Sequence, residues 1–245
     1  MHEVVYSRQT ILKDIGEEGQ YKLANAKVLV VGCGGLGAPV LYYLTAMGIG
    51  NIGLCDYDVV SMSNLNRQIL FTTADIGRPK AVTAEMRIKA LNPNLKTTVY
   101  QQPMDKDLSQ SIVSEYDIVV DCLDNYETRF ILNDACILAG VPLIHAGVEE
   151  FYGQLIAIIP GKSPCLRCLF PDGAQDKSQK GLSGIIGPVP GVIGSLQALE
   201  TAKYLLGMQT ADDGFITFDG VNNKMEKVIV EPNLGCDCRF MRLET

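Results

Sequence analysis

The strongest constraint on this 245-residue chain is a glycine cluster, GCGGLG at 32–37, set between the apolar run KVLVV and the segment APVLYYLTAMG. A short continuous run of β-branched residues reads as a strand buried on both faces, as in a parallel sheet. The segment that follows reads as a helix, with Pro39 tolerated in its first turn. Gly32, Gly34 and Gly37 therefore form G-x-G-x-x-G between a strand and a helix. Without a Cβ the first two let the backbone turn tightly and approach a phosphate, while the helix N-terminus offers free N–H groups and partial positive charge. Asp56 closes the next strand (NIGLC, 51–55), 19 residues after Gly37, where a carboxylate can accept hydrogen bonds from a ribose. Strand, turn, helix and acid in register predict a nucleotide site. The absence of charge from Val28 to Cys55 is long enough to suggest a membrane span, but seven glycines, Pro39 and Asn51 interrupt it.

The remaining pattern extends the same architecture. Helical segments are expected at 17–26, 80–90, 105–114 (capped by Asp105) and 126–139, with extended segments at 95–100, 117–122 and 142–146. This alternation predicts an α/β fold: a doubly wound, Rossmann-like sheet, parallel in its first part. The runs 154–159, 215–219 and 224–230 look like strands with hairpin connections, hence an antiparallel C-terminal extension. Between them, Val192, Leu196, Leu199, Ala202 and Leu206 recur at helical spacing and predict the buried face of a helix. Residues 170–187, with five glycines or prolines, read as an exposed loop. One domain is expected: an N-terminal helical segment (1–26), a nucleotide-binding half (27–150) and a second half (151–245).

Charge and the side chains near the glycines narrow the ligand. Asp plus Glu number 28 against 21 Lys plus Arg, a net charge of -7. That disfavours a general grip on nucleic acid or an anionic membrane, though not a local anion site. The N-terminus MHEVVYSRQT lacks the basic flank and apolar run of a signal peptide, which predicts a reducing, cytoplasmic setting. The segment 61–68, SMSNLNRQ, is rich in donors (Ser63, Asn64, Arg67, Gln68), and Lys80 opens a helix directly after a proline. A triphosphate carries more charge than a dinucleotide's pyrophosphate and asks for several cations, which Arg67 and Lys80 would supply. Taken singly, each could be a solvated surface residue. Asp124 and Asn125 follow the strand at 117–122, at the carboxyl end of the sheet where ligands bind. A carboxylate there suits Mg²⁺ on phosphates, and as a helix N-cap it would serve a structural role.

Taken together, GCGGLG, Asp56-x-Asp58, SNLNRQ, Gly77-x-Pro-Lys80, DCLDNYETR and GVIGSLQALE resemble the ThiF/MoeB/HesA family, the bacterial relatives of ubiquitin-activating enzymes. The motifs recur in order over nearly the whole chain. The resemblance implies ATP contacts at Gly35, Asp56, Asn64, Arg67, Lys80 and Asp124. It also implies that Arg8, in YSRQ, reaches across a homodimer into the partner's ATP site.

The eight cysteines then divide. Cys165-Leu-Arg-Cys168 and Cys236-Asp-Cys238 can meet as four thiolates of a closed tetrahedral Zn²⁺ site. The resemblance implies a structural zinc there, although the family's second pair is spaced C-x-x-C. A redox dithiol and unliganded thiols are the alternatives. Cys33, Cys55, Cys122 and Cys136 lie in apolar runs and are expected in the core. No cysteine occurs between Leu169 and Gly235. Relatives that resemble ThiF often carry a cysteine in the 170–187 loop, where Lys180 stands here, so a thioester or acyl-disulfide step through that loop is not expected. With His2 and His145 the only histidines, a Ser-His or Cys-His relay is also not expected, and His145 reads as a core or rim residue.

The expected function is therefore ATP-dependent adenylylation of the C-terminal glycine carboxylate of a small ubiquitin-like sulfur-carrier protein with a Gly-Gly terminus. Arg8, Arg67, Lys80 and Asp124 would be the catalytic residues, with Mg²⁺ on the phosphates and structural Zn²⁺ in a carrier-binding half. An NAD-dependent oxidoreductase and a non-catalytic nucleotide-binding protein are the alternatives that the glycine motif alone allows.

Overall fold

The computed structural model describes residues 5–171, 184–233, 235, 236 and 238. Its framework is one eight-stranded sheet, in the order β3-β2-β1-β4-β5-β6-β7-β8. The first five strands are β1 (Lys27–Val31), β2 (Asn51–Cys55), β3 (Lys96–Tyr100), β4 (Ile118–Asp121) and β5 (Leu143–Glu149), and they run parallel. β6 (Tyr152–Ile158), β7 (Gly214–Asp219) and β8 (Lys224–Ile229) continue the sheet antiparallel. The central strands are apolar because helices cover both faces: β1 and β2 are buried over four of five residues, and β4 throughout. The edge strand β8 is exposed at every position and correspondingly mixes Lys and Glu with its apolar residues.

The principal helices are α1 (Gly16–Asn25), α2 (Gly37–Ala46), α3 (Lys80–Leu91), α4 (Lys106–Ile112), α5 (Tyr126–Ala139) and α6 (Pro188–Leu205). One core packs the first sheet face against α2, α3 and α6 through Val28, Val30, Leu41, Leu44, Leu54 and Ile193. The other packs the opposite face against α4 and α5 through Leu29, Val119, Leu132 and Leu143. Fully burying such a side chain contributes about 1.5–3 kcal/mol. Asp105 caps α4 as expected, accepting from Leu108 N at 2.8 Å. Cys33, Cys55, Cys122 and Cys136 are core residues.

Two expectations need correcting. In α6 the predicted apolar stripe is only partly the buried face: Ala202 is buried and Leu196 and Leu206 pack half-buried on the core, but Leu199 is 52% and Val192 37% exposed. The helix docks through Ile193 together with small and polar residues that the stripe leaves out. A Cβ on Gly194 would stand 2.5 Å from Leu36 O, and Gln197 Nε2 donates to Asp121 O at 2.7 Å and Ile144 O at 3.1 Å. Close backbone approach at Gly194 shifts the buried side away from Val192 and Leu199. The cap of α5 is Asn125, not Asp124. Asn125 has the extended backbone of an N-cap and its side chain accepts from Thr128 N at 2.9 Å, which leaves the Asp124 carboxylate free of that role. Most of the expected 170–187 loop, Lys180 included, lies outside the described residues. Among the described residues no helix is long and apolar enough to cross a membrane.

Candidate functional site

Strand order reverses between β1 and β4, and a cleft of about 370 Å³ opens at their carboxyl ends, the position at which doubly wound sheets bind ligands. The glycine turn forms its floor. Gly32 has φ +97°, and a Cβ there would lie 2.5 Å from Cys122 O. At Gly37 a Cβ would collide with Gly32 O, so glycine is what lets α2 start directly against the turn. The first turn of α2 does not supply the free N–H groups expected of it, because Ala38 N donates to Gly34 O at 2.9 Å and Pro39 has no N–H. The backbone that faces the cleft is that of the turn, at Gly34, Gly35 and Leu36.

Asp56 ties this floor to the adjoining wall. Its Oδ2 accepts from Cys33 N at 2.8 Å and its Oδ1 from Asp58 N at 2.9 Å. Burial pushes its carboxyl pKa up, against the Cys33 hydrogen bond and the nearby Lys80 charge. Lys80, 6% exposed at the start of α3, reaches Asp58 Oδ2 at 2.7 Å. The donor-rich loop folds through Asn64: its Oδ1 accepts from Ser61 N at 3.1 Å, and its carbonyl accepts from Arg67 N and Gln68 N at 3.1 and 2.9 Å. Asn64 and Gly37 do not themselves line the cleft, whereas Gly32, Gly34, Gly35, Asp56, Arg67, Gln68, Lys80, Asp124 and Asn125 do. Arg67 packs its stem near Gly35 and donates to Ser63 O at 3.1 Å and Asn66 Oδ1 at 2.9 Å. Gln68 is buried with its amide oxygen unpartnered, a polar atom that a bound ligand would satisfy.

Several cleft residues had no sequence signal. Gln102, Pro103 and Met104 follow β3, and Val148 and Glu149 end β5. They carry no motif, and only the sheet order brings them beside the glycines. Arg8 is exposed on a one-turn helix, Ser7–Thr10, and is not among the residues lining its own chain's cleft. That turn is anchored by Gln9 Nε2, which donates to Gln20 Oε1 at 2.7 Å and Met47 O at 3.0 Å.

The two cysteine pairs converge. The sulfurs of Cys165, Cys168, Cys236 and Cys238 all lie within 4.8 Å of one another. Sγ separations are 3.9 Å for Cys165 to Cys168, 3.6 Å for Cys165 to Cys236 and 3.4 Å for Cys168 to Cys238. A tetrahedron of thiolates about 2.3 Å from zinc has edges of about 3.8 Å, so the donor set fits that ion, and the tighter C-x-C spacing still delivers both sulfurs. Burial pushes the Cys165 thiol up to about 11, and a metal would displace that proton. The first pair is braced on α5, with Leu166 N donating to Asn133 Oδ1 at 3.0 Å and Arg167 pairing twice with Asp134 at 2.8 and 2.6 Å.

Residues 6–239 match the ThiF family. The chain is 42% identical to the sulfur carrier protein ThiS adenylyltransferase of Escherichia coli (strain K12) over 232 residues, 94% of this chain and 92% of that protein. It is 41% identical to the sulfur carrier protein adenylyltransferase of Thermus thermophilus, covering 94% of this chain and 88% of that one. The adenylyltransferase and sulfurtransferase MOCS3 of Xenopus laevis is 43% identical over 91% of this chain, which spans 50% of that protein's length. Among solved structures, Escherichia coli MccB with MccA-N7isoASN superposes with a TM-score of 0.85 at 25% identity, over 98% of this chain and 75% of that chain. With the glycine turn, the Asp56–Lys80 wall and the mixed sheet in the same chain, the match over residues 6–239 shows that this protein belongs to the ThiF family.

Proposed function

We propose that this chain transfers the adenylyl group of ATP to the C-terminal carboxylate of a small ubiquitin-like sulfur-carrier protein ending in Gly-Gly, releasing pyrophosphate. The observation that carries this reading is the convergence of Arg67, Lys80 and Asp124 on the glycine-floored cleft, in a chain that covers 92% of a ThiS adenylyltransferase.

The carrier carboxylate is already ionised near neutral pH, so it needs positioning rather than a general base. One of its oxygens attacks the α-phosphorus of ATP, the bond from that phosphorus to the bridging oxygen breaks, and the electron pair leaves with pyrophosphate. The glycine turn, through the backbone of Gly34 and Gly35 at the cleft, seats the phosphates. Arg67 and Lys80 oppose the charge that develops on the α-phosphoryl and leaving oxygens. Asp56, fixed by two backbone N–H groups, is in position to accept from the ribose.

Charge counting supports two further parts of the proposal. Among the described residues the cleft holds two cations, Arg67 and Lys80, against the carboxylates of Asp56, Asp58, Asp124 and Glu149. A triphosphate therefore needs positive charge from elsewhere. Asp124 is exposed, its nearest polar contact being Asn125 Nδ2 at 3.5 Å, and it would hold Mg²⁺ together with phosphate oxygens. The bound Mg²⁺ would supply neutralisation of the leaving pyrophosphate. Arg8, outside its own cleft, would supply a cation to the partner's site in a homodimer. The Cys165, Cys168, Cys236, Cys238 set would hold a structural Zn²⁺ within the carrier-binding half, residues 151–245. All eight thiols are free, in keeping with a reducing, cytoplasmic setting.

The test is exchange of radiolabelled pyrophosphate into ATP, with and without a Gly-Gly-ended carrier. Carrier-dependent exchange is expected. ATP binding without exchange, across a panel of such carriers, would overturn the proposal.

A further inference from the structure

Behind the cleft lies a buried polar network that the reaction, as derived above, does not use. Asp121 ends β4 and His145 lies on β5, both fully buried, while Arg129 on α5 is 5% exposed. Asp121 Oδ2 meets His145 Nδ1 at 2.6 Å and stands 3.8 Å from Arg129 Nε. Asp121 Oδ1 accepts from Leu123 N at 3.0 Å. Arg129 Nη2 donates to Leu123 O at 2.5 Å and Ala146 O at 3.1 Å.

Both backbone polar groups of Leu123 are thus gripped by buried ionisable side chains, its N–H by Asp121 and its carbonyl by Arg129. The next residue is Asp124. Turning the peptide plane that leads into Asp124 would break a charge-assisted bond to the buried Arg129. Packing alone does not account for this arrangement. Removing three ionisable groups from water is expensive, and apolar residues of similar volume would fill the space at lower cost. Nor is the network arranged for its own satisfaction, since Arg129 Nε and His145 Nε2 lack hydrogen-bond partners. One bond from Asp121 and one from Arg129 meet on a single residue, Leu123, and hold the two peptides that flank it.

We propose that Arg129, braced by Asp121 and His145, is a positioning residue for adenylylation: it fixes the Leu123–Asp124 peptide so that the Asp124 carboxylate meets phosphate-bound Mg²⁺ in one orientation. The inference rests on the assignment of Asp124 made above. Arg129→Lys keeps one positive charge but has a single nitrogen, which cannot stand both where Nε faces Asp121 and where Nη2 bonds the Leu123 and Ala146 carbonyls.

The experiment compares ATP affinity by calorimetry with and without Mg²⁺, in the wild type and in Arg129→Lys, Asp121→Asn and Asp124→Ala. Arg129→Lys is expected to reduce the factor by which Mg²⁺ tightens ATP by about tenfold, leaving Mg²⁺-free affinity within about twofold. Asp121→Asn retains an oxygen for Leu123 N–H while removing the charge beside Arg129, so it should reduce the factor by a smaller amount. It carries the test if Arg129→Lys does not fold. If Asp124→Ala loses the Mg²⁺ factor while the Arg129 and Asp121 variants keep it, the positioning role is overturned and the Asp124 assignment stands. If Asp124→Ala keeps the factor, the assignment fails and the inference with it. A parallel loss of affinity with and without Mg²⁺ in the Arg129 and Asp121 variants would show a merely structural role and overturn the inference.

Discussion

Replacing Lys80 with Met separates its part in the chemistry from its part in the fold. The Lys80 side chain is 7% exposed and its ammonium lies 2.7 Å from Asp58, whose own side chain is 50% exposed. Because half of that pair faces water, its contribution to stability is about 0–1 kcal/mol. Methionine retains an apolar stem of similar reach, and Asp58 is left solvated rather than stranded. A loss of that size lowers Tm by at most about 2–4 °C in a chain of this length. The transition state has far more to lose. An oriented donor removed from developing oxyanion charge costs about 2.7–4 kcal/mol, or about 100- to 1,000-fold in rate. Carrier-dependent pyrophosphate exchange should therefore fall by two to three decades in a protein whose melting curve is almost unchanged. Exchange within tenfold of the wild type would refute the assignment of Lys80 to charge stabilisation. A collapse of Tm would show that the buried ammonium holds the fold.

Three further outcomes follow from the same geometry. Each chain should carry one tightly held zinc by elemental analysis, and Cys238→Ser should lower zinc occupancy and thermal stability together; full stability without metal would refute the site. Chains carrying Arg8→Ala and chains carrying Lys80→Ala, inactive apart, should recover about a quarter of wild-type exchange when mixed equally, because half of the dimers then contain one intact site; no recovery in a verified heterodimer would refute the transfer of Arg8 between subunits. Burial lowers the His145 pKa more than Asp121 raises it, so the unfolded chain takes up a proton near pH 6.5 that the folded chain refuses. Stability is then complete above that value and falls with pH toward the depressed folded pKa. His145→Asn should lose less stability by urea denaturation than the wild type between about pH 7.5 and 5.5, and an equal loss would refute this origin.

What could be read from the chain alone was local. The glycine turn, β1 and β2 were legible because short apolar runs are set off by glycines and an acid at defined spacing. Two close cysteine pairs allowed the four-thiolate cluster among the alternatives, which the structure brings together. The buried side of α6 was only partly legible, since its contact uses Gly194 and Gln197 beside Ile193 and leaves Val192 and Leu199 outside. Asp124 and Asn125 are adjacent and both able to cap, so only the backbone angles separate them. Gln102, Met104 and Glu149 reach the cleft through strand order, and no spacing in the sequence records that. The pairing of Asp121 with His145 is likewise a consequence of β4 and β5 lying side by side, where these two residues are in register.

The most direct test of the central claim is intact mass spectrometry of a Gly-Gly-ended carrier after incubation with this protein, ATP and Mg²⁺. The account predicts a carrier heavier by one adenylyl group at its C-terminus, with pyrophosphate released in equal amount and no product when Lys80 is replaced. Unmodified carriers throughout, with ATP bound but intact, would contradict it.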